Sequence, residues 1–244
     1  MQRRIDMKLT VLGTSGPFPK PGSACSGYLL ESDNAKILLD CGSGVVSRLL
    51  QICDVSELDA VVLTHLHFDH CSDIGVLRYA LEASPANRSV RLLAPDPDGS
   101  VLERFLSGTG VLRQETVSDG AEFVIGGLRL RFSRAVHPVE AYCVRIDGPD
   151  RSFFYTGDTA VFDGLDDLMR GADLAVADSC FTDAQAEVRK EIHMSPGQIG
   201  LLRSRAGVKK MVLSHHFGGD TTESGSESVP DGCVYAKDLS VFEF

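Results

Sequence analysis

The sequence lacks a long apolar run and a recognisable secretion signal. Its first residues, MQRRIDMKLTVLG, are basic but have no extended apolar stretch and no small-residue cleavage site, so we expect no cleaved signal peptide. No segment approaches the roughly 20 apolar residues of a membrane helix. These features predict a cytoplasmic protein without a membrane partner.

The cysteines lack any pairing pattern. There are seven of them, an odd number, and no close pair has the spacing of a zinc knuckle. We therefore expect reduced thiols, as in a reducing compartment, and no cysteine-rich structural zinc site.

An excess of positive charge is also lacking. The formal net charge is -10, which disfavours non-specific binding to nucleic acid or to an anionic membrane. We therefore expect no stable nucleic-acid complex. An anionic substrate remains compatible with this charge, because bound metal ions invert the local field.

Internal repeats and long linkers are absent, so the 244 residues predict one compact α/β domain spanning 1–244. Apolar patterning predicts strands at Lys8–Leu12, Tyr28–Leu30, Ile37–Leu39, Ala60–Leu63, Val90–Leu93, Phe123–Ile125, Leu128–Phe132, Tyr142–Ile146, Phe153–Tyr155, Leu174–Ala177, Met211–Leu213 and Leu239–Phe244. Helices are predicted at Val45–Ile52, at Ile74–Leu81 with Ser72 as N-cap, at Val101–Leu106, and from Ser195-Pro196 to Arg205. The polar residues 220–232 predict a mobile loop.

The segment THLHFDH carries the chemistry. It follows an apolar strand and precedes a helix, and it places His65, His67, Asp69 and His70 within six residues. Imidazole nitrogen and carboxylate oxygen are the ligands that zinc-like divalent ions prefer. His65 and His67 share one side of an extended segment, and the other two follow a turn. This geometry can supply two ligands to each of two metal ions.

Two other interpretations of this segment are a polar loop with chance histidines and a single structural zinc site. The strand-to-helix context argues against the first. Structural zinc sites usually fill with cysteine, and the segment offers only Cys71.

The pattern His-x-His-x-Asp-His after an apolar strand resembles the metallo-β-lactamase superfamily. Further motifs of that family follow in order: DCG at residues 40–42 resembles its early Asp-x-Gly motif, His137 its third histidine, Asp158 in YTGDT its bridging aspartate, and His215 in LSHHF its last ligand. The resemblance spans nearly the whole chain. It implies an αββα sandwich of two mixed β-sheets flanked by helices, with the site at one sheet edge.

The resemblance also implies a ligand set. One divalent ion would bind to His65, His67 and His137, and a second to Asp69, His70 and His215, with Asp158 bridging the two. Asp40 would orient a ligand imidazole or a loop. Taken alone, Asp158 also suits an ordinary turn residue, and His216 is an alternative to its neighbour. Zinc suits the histidine-rich set, and manganese is the alternative.

Two other segments resemble the ribonuclease Z-like branch. They are GTSGPFPKPGSACSGYLLE, near the amino terminus, and HMSPGQIGLLRSRAGVKKMVLSHH, which begins at His193. ADSCF resembles the acidic motif of that branch, with Asp178 where the family usually carries Glu. The resemblance implies that Asp178 orients His193, which acts on the scissile phosphodiester. The alternative is that His193 caps the following helix. Asp69, His193 and Asp178 are thus the candidate catalytic residues.

One feature of the branch is missing. Members that process transfer RNA carry a long arm between the third histidine and the bridging aspartate, but residues 137–158 hold one hairpin's worth of chain. The basic surface for gripping RNA is lost with the arm, in line with the acidic charge. The closer resemblance is to small phosphodiesterases acting on cyclic nucleotides or simple diesters.

These features predict a dinuclear-metal hydrolase in which a metal-bridging hydroxide attacks a small phosphodiester and His193 protonates the leaving oxygen. Three alternatives stay open. They are a ribonuclease Z-type endonuclease for transfer RNA 3′ ends, a hydrolase of lactones, thioesters or β-lactams, and a metal-dependent binding or sensing protein. A homodimer is expected only by analogy with the branch.

Overall fold

The computed structural model describes residues 7–86, 88–189, 191–217 and 228–244. Sixteen strands are described: β1 (Lys8–Gly13), β2 (Ser15–Gly16), β3 (Gly27–Ser32), β4 (Ala35–Leu39), β5 (Ala60–Val62), β6 (Val90–Ala94), β7 (Leu112–Thr116), β8 (Glu122–Ile125), β9 (Leu128–Arg134), β10 (Tyr142–Asp147), β11 (Ser152–Tyr155), β12 (Leu174–Asp178), β13 (Lys210–Ser214), β14 (His216–Phe217), β15 (Cys233–Tyr235) and β16 (Val241–Glu243). The helices are α1 (Val45–Leu49), α2 (Phe68–Cys71), α3 (Ile74–Ala83), α4 (Val101–Leu106), α5 (Leu165–Leu168), α6 (Asp183–Val188) and α7 (Pro196–Ala206), with a 3₁₀ turn at Val55–Glu57.

The strands form two large mixed sheets. The first has the order β16-β1-β3-β4-β5-β6-β7, and the second has the order β15-β13-β12-β11-β10-β9-β8. In the first sheet β4, β5, β6 and β7 run parallel, and in the second β11, β12, β13 and β15 do. A small third sheet pairs β2 with β14.

Apolar side chains fill three layers between and outside the sheets. The middle layer takes residues from both sheets, such as Leu30, Ile37 and Val144. Their strand neighbours point the opposite way, because successive side chains alternate faces. Leu29 and Leu38 therefore pack on α1 and α3 outside the first sheet, and α5 and α7 cover the second sheet in the same manner. The predicted αββα sandwich is confirmed.

The candidate site residues lie together at one edge of the sandwich. Parallel strands end at the same sheet edge, so Asp40 after β4 and the segment after β5 meet there. Asp178 at the end of β12 and His215 after β13 reach the same edge from the second sheet. A bridge between His65 and Ala141 joins the two sheets at this point. Loops beyond the carboxyl ends of parallel strands are the usual place for a site in an α/β sheet.

Some boundaries differ from the sequence expectation. Ser72 was predicted as the N-cap of α3. It is instead the C-cap of α2, and Asp73 is the N-cap of α3. The carboxylate of Asp73 instead accepts a hydrogen bond from Val46 N at 3.1 Å. The last strand is shorter than Leu239–Phe244, because Leu239 has a φ of 65° and cannot extend a ladder.

Several short elements were not predicted: β2, β7, β14, β15, α2, α5, α6 and the 3₁₀ turn. Most of the predicted loop at 220–232 lies outside the described residues. All seven cysteines are buried free thiols, as expected. Within the described ranges, no helix combines the length and apolar character needed to cross a bilayer.

Candidate metal centre

Three imidazoles converge on one point at the edge where the sheets meet. His65 Nε2 and His137 Nε2 each lie 3.1 Å from His67 Nδ1. Nitrogens bound to one tetrahedral zinc ion at the usual 2.0–2.1 Å lie about 3.3 Å apart. The three rings therefore have the spacing of ligands around one ion.

The outer nitrogens of two of these rings face hydrogen-bond acceptors. His137 Nδ1 lies 3.2 Å from the carbonyl of Ile192, which can only accept, so this nitrogen carries the proton. His65 Nδ1 lies 3.1 Å from Thr64 Oγ1, whose own proton goes to Asp40 at 2.9 Å. Each Nε2 is thus left with a lone pair that points inward, which is what a metal ligand requires.

A second donor group lies beside the first and contains Asp69, His70 and His215. His215 Nε2 is 3.2 Å from Asp69 Oδ2, and His70 Nε2 is 3.7 Å from the same oxygen. His70 Nδ1 donates to Asp40 Oδ2 at 2.7 Å. His70 Nε2 is buried without a hydrogen-bond partner. A buried nitrogen without a hydrogen-bond partner costs free energy, and a cation bound in place of its proton would remove that cost.

Asp158 stands between the two groups. Its carboxylate lies 3.2 Å from His70 Nε2, 3.3 Å from His215 Nε2 and 3.8 Å from His65 Nε2. One of its oxygens, Oδ1, is buried without a hydrogen bond. Asp158 is therefore within reach of both donor groups, as a bridging ligand must be.

The buried carboxylates of this cluster favour the binding of cations. Burial alone would lower the pKa of His70, but the carboxylates of Asp158 and Asp40 outweigh burial and raise the pKa to about 10. Asp158 also holds the pKa of His215 well above its ordinary value against burial. Divalent ions bind to such groups by displacing their protons. The histidine and carboxylate donors therefore fit two divalent ions of the zinc type.

Asp40 holds the candidate ligand His70 and its surroundings in place through hydrogen bonds. Besides His70, its carboxylate accepts hydrogen bonds from Thr64 N at 2.8 Å and from Tyr155 Oη at 2.7 Å. Its φ of 55° is unusual for a residue with a side chain. Such strain persists where surrounding contacts enforce it, often at functional sites. The position of Asp40 agrees with the predicted orienting role.

His193 and Asp178 form a pair at the rim of the cluster. His193 Nδ1 lies 2.7 Å from Asp178 Oδ2, and the His193 side chain is 14% exposed. Its ring lies 5.6 Å from that of His137 and 5.2 Å from that of His215. The carboxylate of Asp178 thus reaches the imidazole although it is one carbon shorter than glutamate.

The helix-capping alternative for His193 is wrong. The N-cap of α7 is Ser195, whose side chain accepts a hydrogen bond from Gln198 N. Gln198 completes the capping box by reaching back to the Ser195 backbone. The helix start is therefore satisfied without His193.

The structure also shows which of the adjacent residues His215 and His216 faces the donor cluster. His215 has a φ of 59°, a sharp change of direction at the end of β13, which turns its ring toward Asp158. His216 points away, toward Tyr235, with ring centroids 5.3 Å apart. Gly16 lies against the His215 ring, because a Cβ atom at Gly16 would stand 2.0 Å from His215 Nε2. The geometry favours His215 as the ligand.

Comparison with known proteins agrees with this fold. Residues 35–216 match the model of the β-lactamase superfamily domain. The chain therefore belongs to the β-lactamase superfamily, and its curated relatives include a metallo-hydrolase.

Among its relatives is the probable metallo-hydrolase YhfI of Bacillus subtilis, which is 32% identical over 87% of this chain and 88% of its own. The YhfI crystal structure matches with a TM-score of 0.88, covering 98% of this chain and all of the other at 29% identity. Ribonuclease Z of Mycobacterium bovis is 26% identical, covering 86% of each chain. A diphosphatase of the PhnP family shares the fold, with a TM-score of 0.79, 19% identity and 98% of each chain covered.

Proposed function

We propose that this protein is a phosphodiesterase for small phosphodiesters, including cyclic nucleotides, with Asp69, Asp158 and the histidines of the cluster holding two divalent ions. The observation that carries the proposal is the His193–Asp178 pair, 2.7 Å apart, at the rim of the donor cluster. Zinc is the ion that this donor set favours, and manganese is the alternative.

The ions, when bound, would supply an activated water and neutralise the charge of the phosphate oxygens. What remains for the chain is to protonate the departing alkoxide. His193 directs Nδ1 at Asp178, so it can donate from Nε2 when the ring carries both protons. The Asp178 carboxylate accepts the hydrogen bond from Nδ1 and so orients the ring. Burial by itself raises the pKa of Asp178, but the charge of His193 and its hydrogen bond lower the pKa below the ordinary value.

Asp178 is itself held in place. Its Oδ2 accepts a hydrogen bond from Thr159 N at 3.2 Å, and its Oδ1 accepts one from Cys180 N at 3.1 Å. Phe181 packs edge-on against the His193 ring, with centroids 4.9 Å apart. These contacts fix the imidazole, and a general acid must be positioned before its pKa matters.

The names of two similar proteins support phosphate chemistry. One relative is named a ribonuclease and one structural neighbour a diphosphatase. The second of these shares only the fold at 19% identity. The proposal for this chain therefore rests on His193 and Asp178 together with the branch of the family.

The main rival is processing of transfer RNA 3′ ends. Between His137 and Asp158 the chain forms only the β10–β11 hairpin, whose strands pair from Val144↔Tyr155 to Asp147↔Ser152. A hairpin of this size offers little surface for folded RNA, and the net charge of -10 opposes binding to the many phosphates of an RNA backbone. These features favour small substrates.

A substrate panel on metal-quantified protein tests the proposal. The panel contains a cyclic mononucleotide, a nitrophenyl phosphodiester, a thioester, a lactone and a precursor transfer RNA. We expect turnover of the first two and poor cleavage of the precursor. Specific cutting of the RNA at its 3′ trailer, or turnover confined to the thioester or lactone, contradicts the proposal.

A further inference from the structure

A small cleft opens beside the donor cluster. It has a volume of about 140 Å³, and its lining residues are Leu66, His67, Pro95, Asp96, Val139 and Glu140. They come from three places at the site edge: the segment after β5, the end of β6 and the loop before β10. Because His67 also belongs to the first donor group, the cleft adjoins the proposed metal centre.

The size of the cleft limits what it can hold. Pockets for drug-sized ligands measure roughly 300–1,000 Å³, so this cleft holds only part of a substrate. A cavity of about 150 Å³ lined by apolar side chains accepts one benzene ring. The apolar walls here are Leu66, Pro95 and Val139. The cleft therefore has the scale of one planar aromatic group and not of a whole nucleotide.

The charge of the cleft restricts its occupant further. Its two ionisable groups besides His67 are the carboxylates of Asp96 and Glu140. Glu140 is paired with Arg134 at 3.2 Å. Asp96 Oδ1 accepts a hydrogen bond from Asp98 N at 3.1 Å, and a carboxylate has about four acceptor positions. Asp96 can accept a further hydrogen bond from a ligand, and its charge repels a second phosphate.

We infer that this cleft binds the nucleobase of a mononucleotide diester, with Asp96 accepting a hydrogen bond from an exocyclic amino group. Carboxylates accept from such amino groups in base recognition. The inference rests on the proposed function and narrows it. The protein should therefore prefer substrates whose base carries an amino group over those with uracil. It should also prefer mononucleotides over oligonucleotides.

The relationship to His193 supports this assignment. The His137 ring contacts both His67, at 4.9 Å, and His193, at 5.6 Å. The cleft adjoins His67, and His193 is not among the residues that line it. A base bound there leaves the space over His193 open for the departing oxygen.

Filling the cleft tests the inference. Val139 is 38% exposed, so Val139→Phe adds bulk to the cleft without entering the core. We expect it to raise KM for 3′,5′-cyclic AMP at least tenfold and to leave methyl nitrophenyl phosphate turnover and metal content unchanged. Asp96→Ala should reduce the preference for cyclic AMP over cyclic UMP. Val124→Phe is the matched control, because Val124 is exposed on β8, away from the site edge.

The outcomes separate the two claims. If the wild-type protein hydrolyses neither cyclic AMP nor the methyl diester, the proposed function is wrong. If it hydrolyses both and Val139→Phe leaves KM for cyclic AMP unchanged, only the cleft assignment is overturned. Calorimetric binding of AMP gives a second readout: weaker binding to Val139→Phe than to Val124→Phe supports the assignment, and equal binding contradicts it.

Discussion

The hydrogen-bond partner of each imidazole determines which ring nitrogen faces the site. Three oxygen atoms each accept a hydrogen bond from one ring's Nδ1. They are Ile192 O for His137, Thr64 Oγ1 for His65 and the Asp40 carboxylate for His70. The three Nε2 atoms consequently face the site, and that of His70 becomes a ligand when a metal ion displaces its proton. His193 differs, because its Nδ1 faces Asp178 at the rim and its other nitrogen remains for substrate. On the proposed function, an imidazole would serve as ligand or as acid according to its neighbours.

At the residue scale we predict that His193→Ala retains both metals and loses activity unevenly between substrates. A positioned general acid contributes roughly a hundredfold to ten-thousandfold in rate. An alkyl or nucleoside diester should lose that much, whereas a nitrophenyl diester should lose far less, because nitrophenolate leaves without protonation. Steady-state kinetics on both substrates measure the difference.

The other outcomes for His193→Ala are equally informative. A fall in metal content would identify His193 as a ligand. An equal loss on both substrates would mean that it positions the phosphate. Undiminished activity on both would leave the imidazole without a catalytic role, and the proposed acid would have to be abandoned.

The sequence indicated the ligand candidates because their residue types and close spacing in THLHFDH are local properties. It did not indicate Thr64 or Tyr155 as supports for the site. Tyr155 reaches Asp40 across 115 positions of the chain, and no local pattern encodes such a contact. The Asp178–His193 pair was expected only from the family resemblance.

At the scale of elements, the site depends on strand ends. Asp40, Asp178 and His215 each come at or directly after the end of a parallel strand. Short alternating or apolar runs predicted those strands well. The missed pair β2 and β14 has two residues in each strand, too few for any periodicity to show. That pair nevertheless holds the loop after β1 against His215.

We predict that Gly16→Ala weakens the metal position that contains His215. The new Cβ atom would stand 2.0 Å from His215 Nε2, so the ring or the loop must move. Loss of ligand support typically costs about tenfold to a hundredfold in metal affinity. Competition with a chromophoric chelator measures that affinity.

Gly110→Ala is the control for this variant, since no atom lies within 4 Å of a Cβ atom at Gly110. It should bind metal as the wild type does. If Gly16→Ala also keeps the wild-type affinity, the contact between Gly16 and His215 does not constrain the site as described.

At the scale of the molecule, two sheets and their outer helices bring six of the seven histidines to one edge. The apolar strand pattern predicted one compact α/β unit, and the αββα sandwich was expected from the family resemblance that the ordered motifs carry. The order of strands within each sheet was not predictable, since β16 and β15 join the sheets from the far end of the chain. Domain extent, oligomeric state and cellular location stay predictions.

The central claim is that the chain holds two divalent ions in two facing donor groups. Elemental analysis of purified protein, reconstituted with zinc or manganese, measures it most directly. We predict about two ions per chain, about one in His215→Ala, and about two in the control His216→Ala. At most one ion in the wild-type protein, or two retained in His215→Ala, would contradict the account.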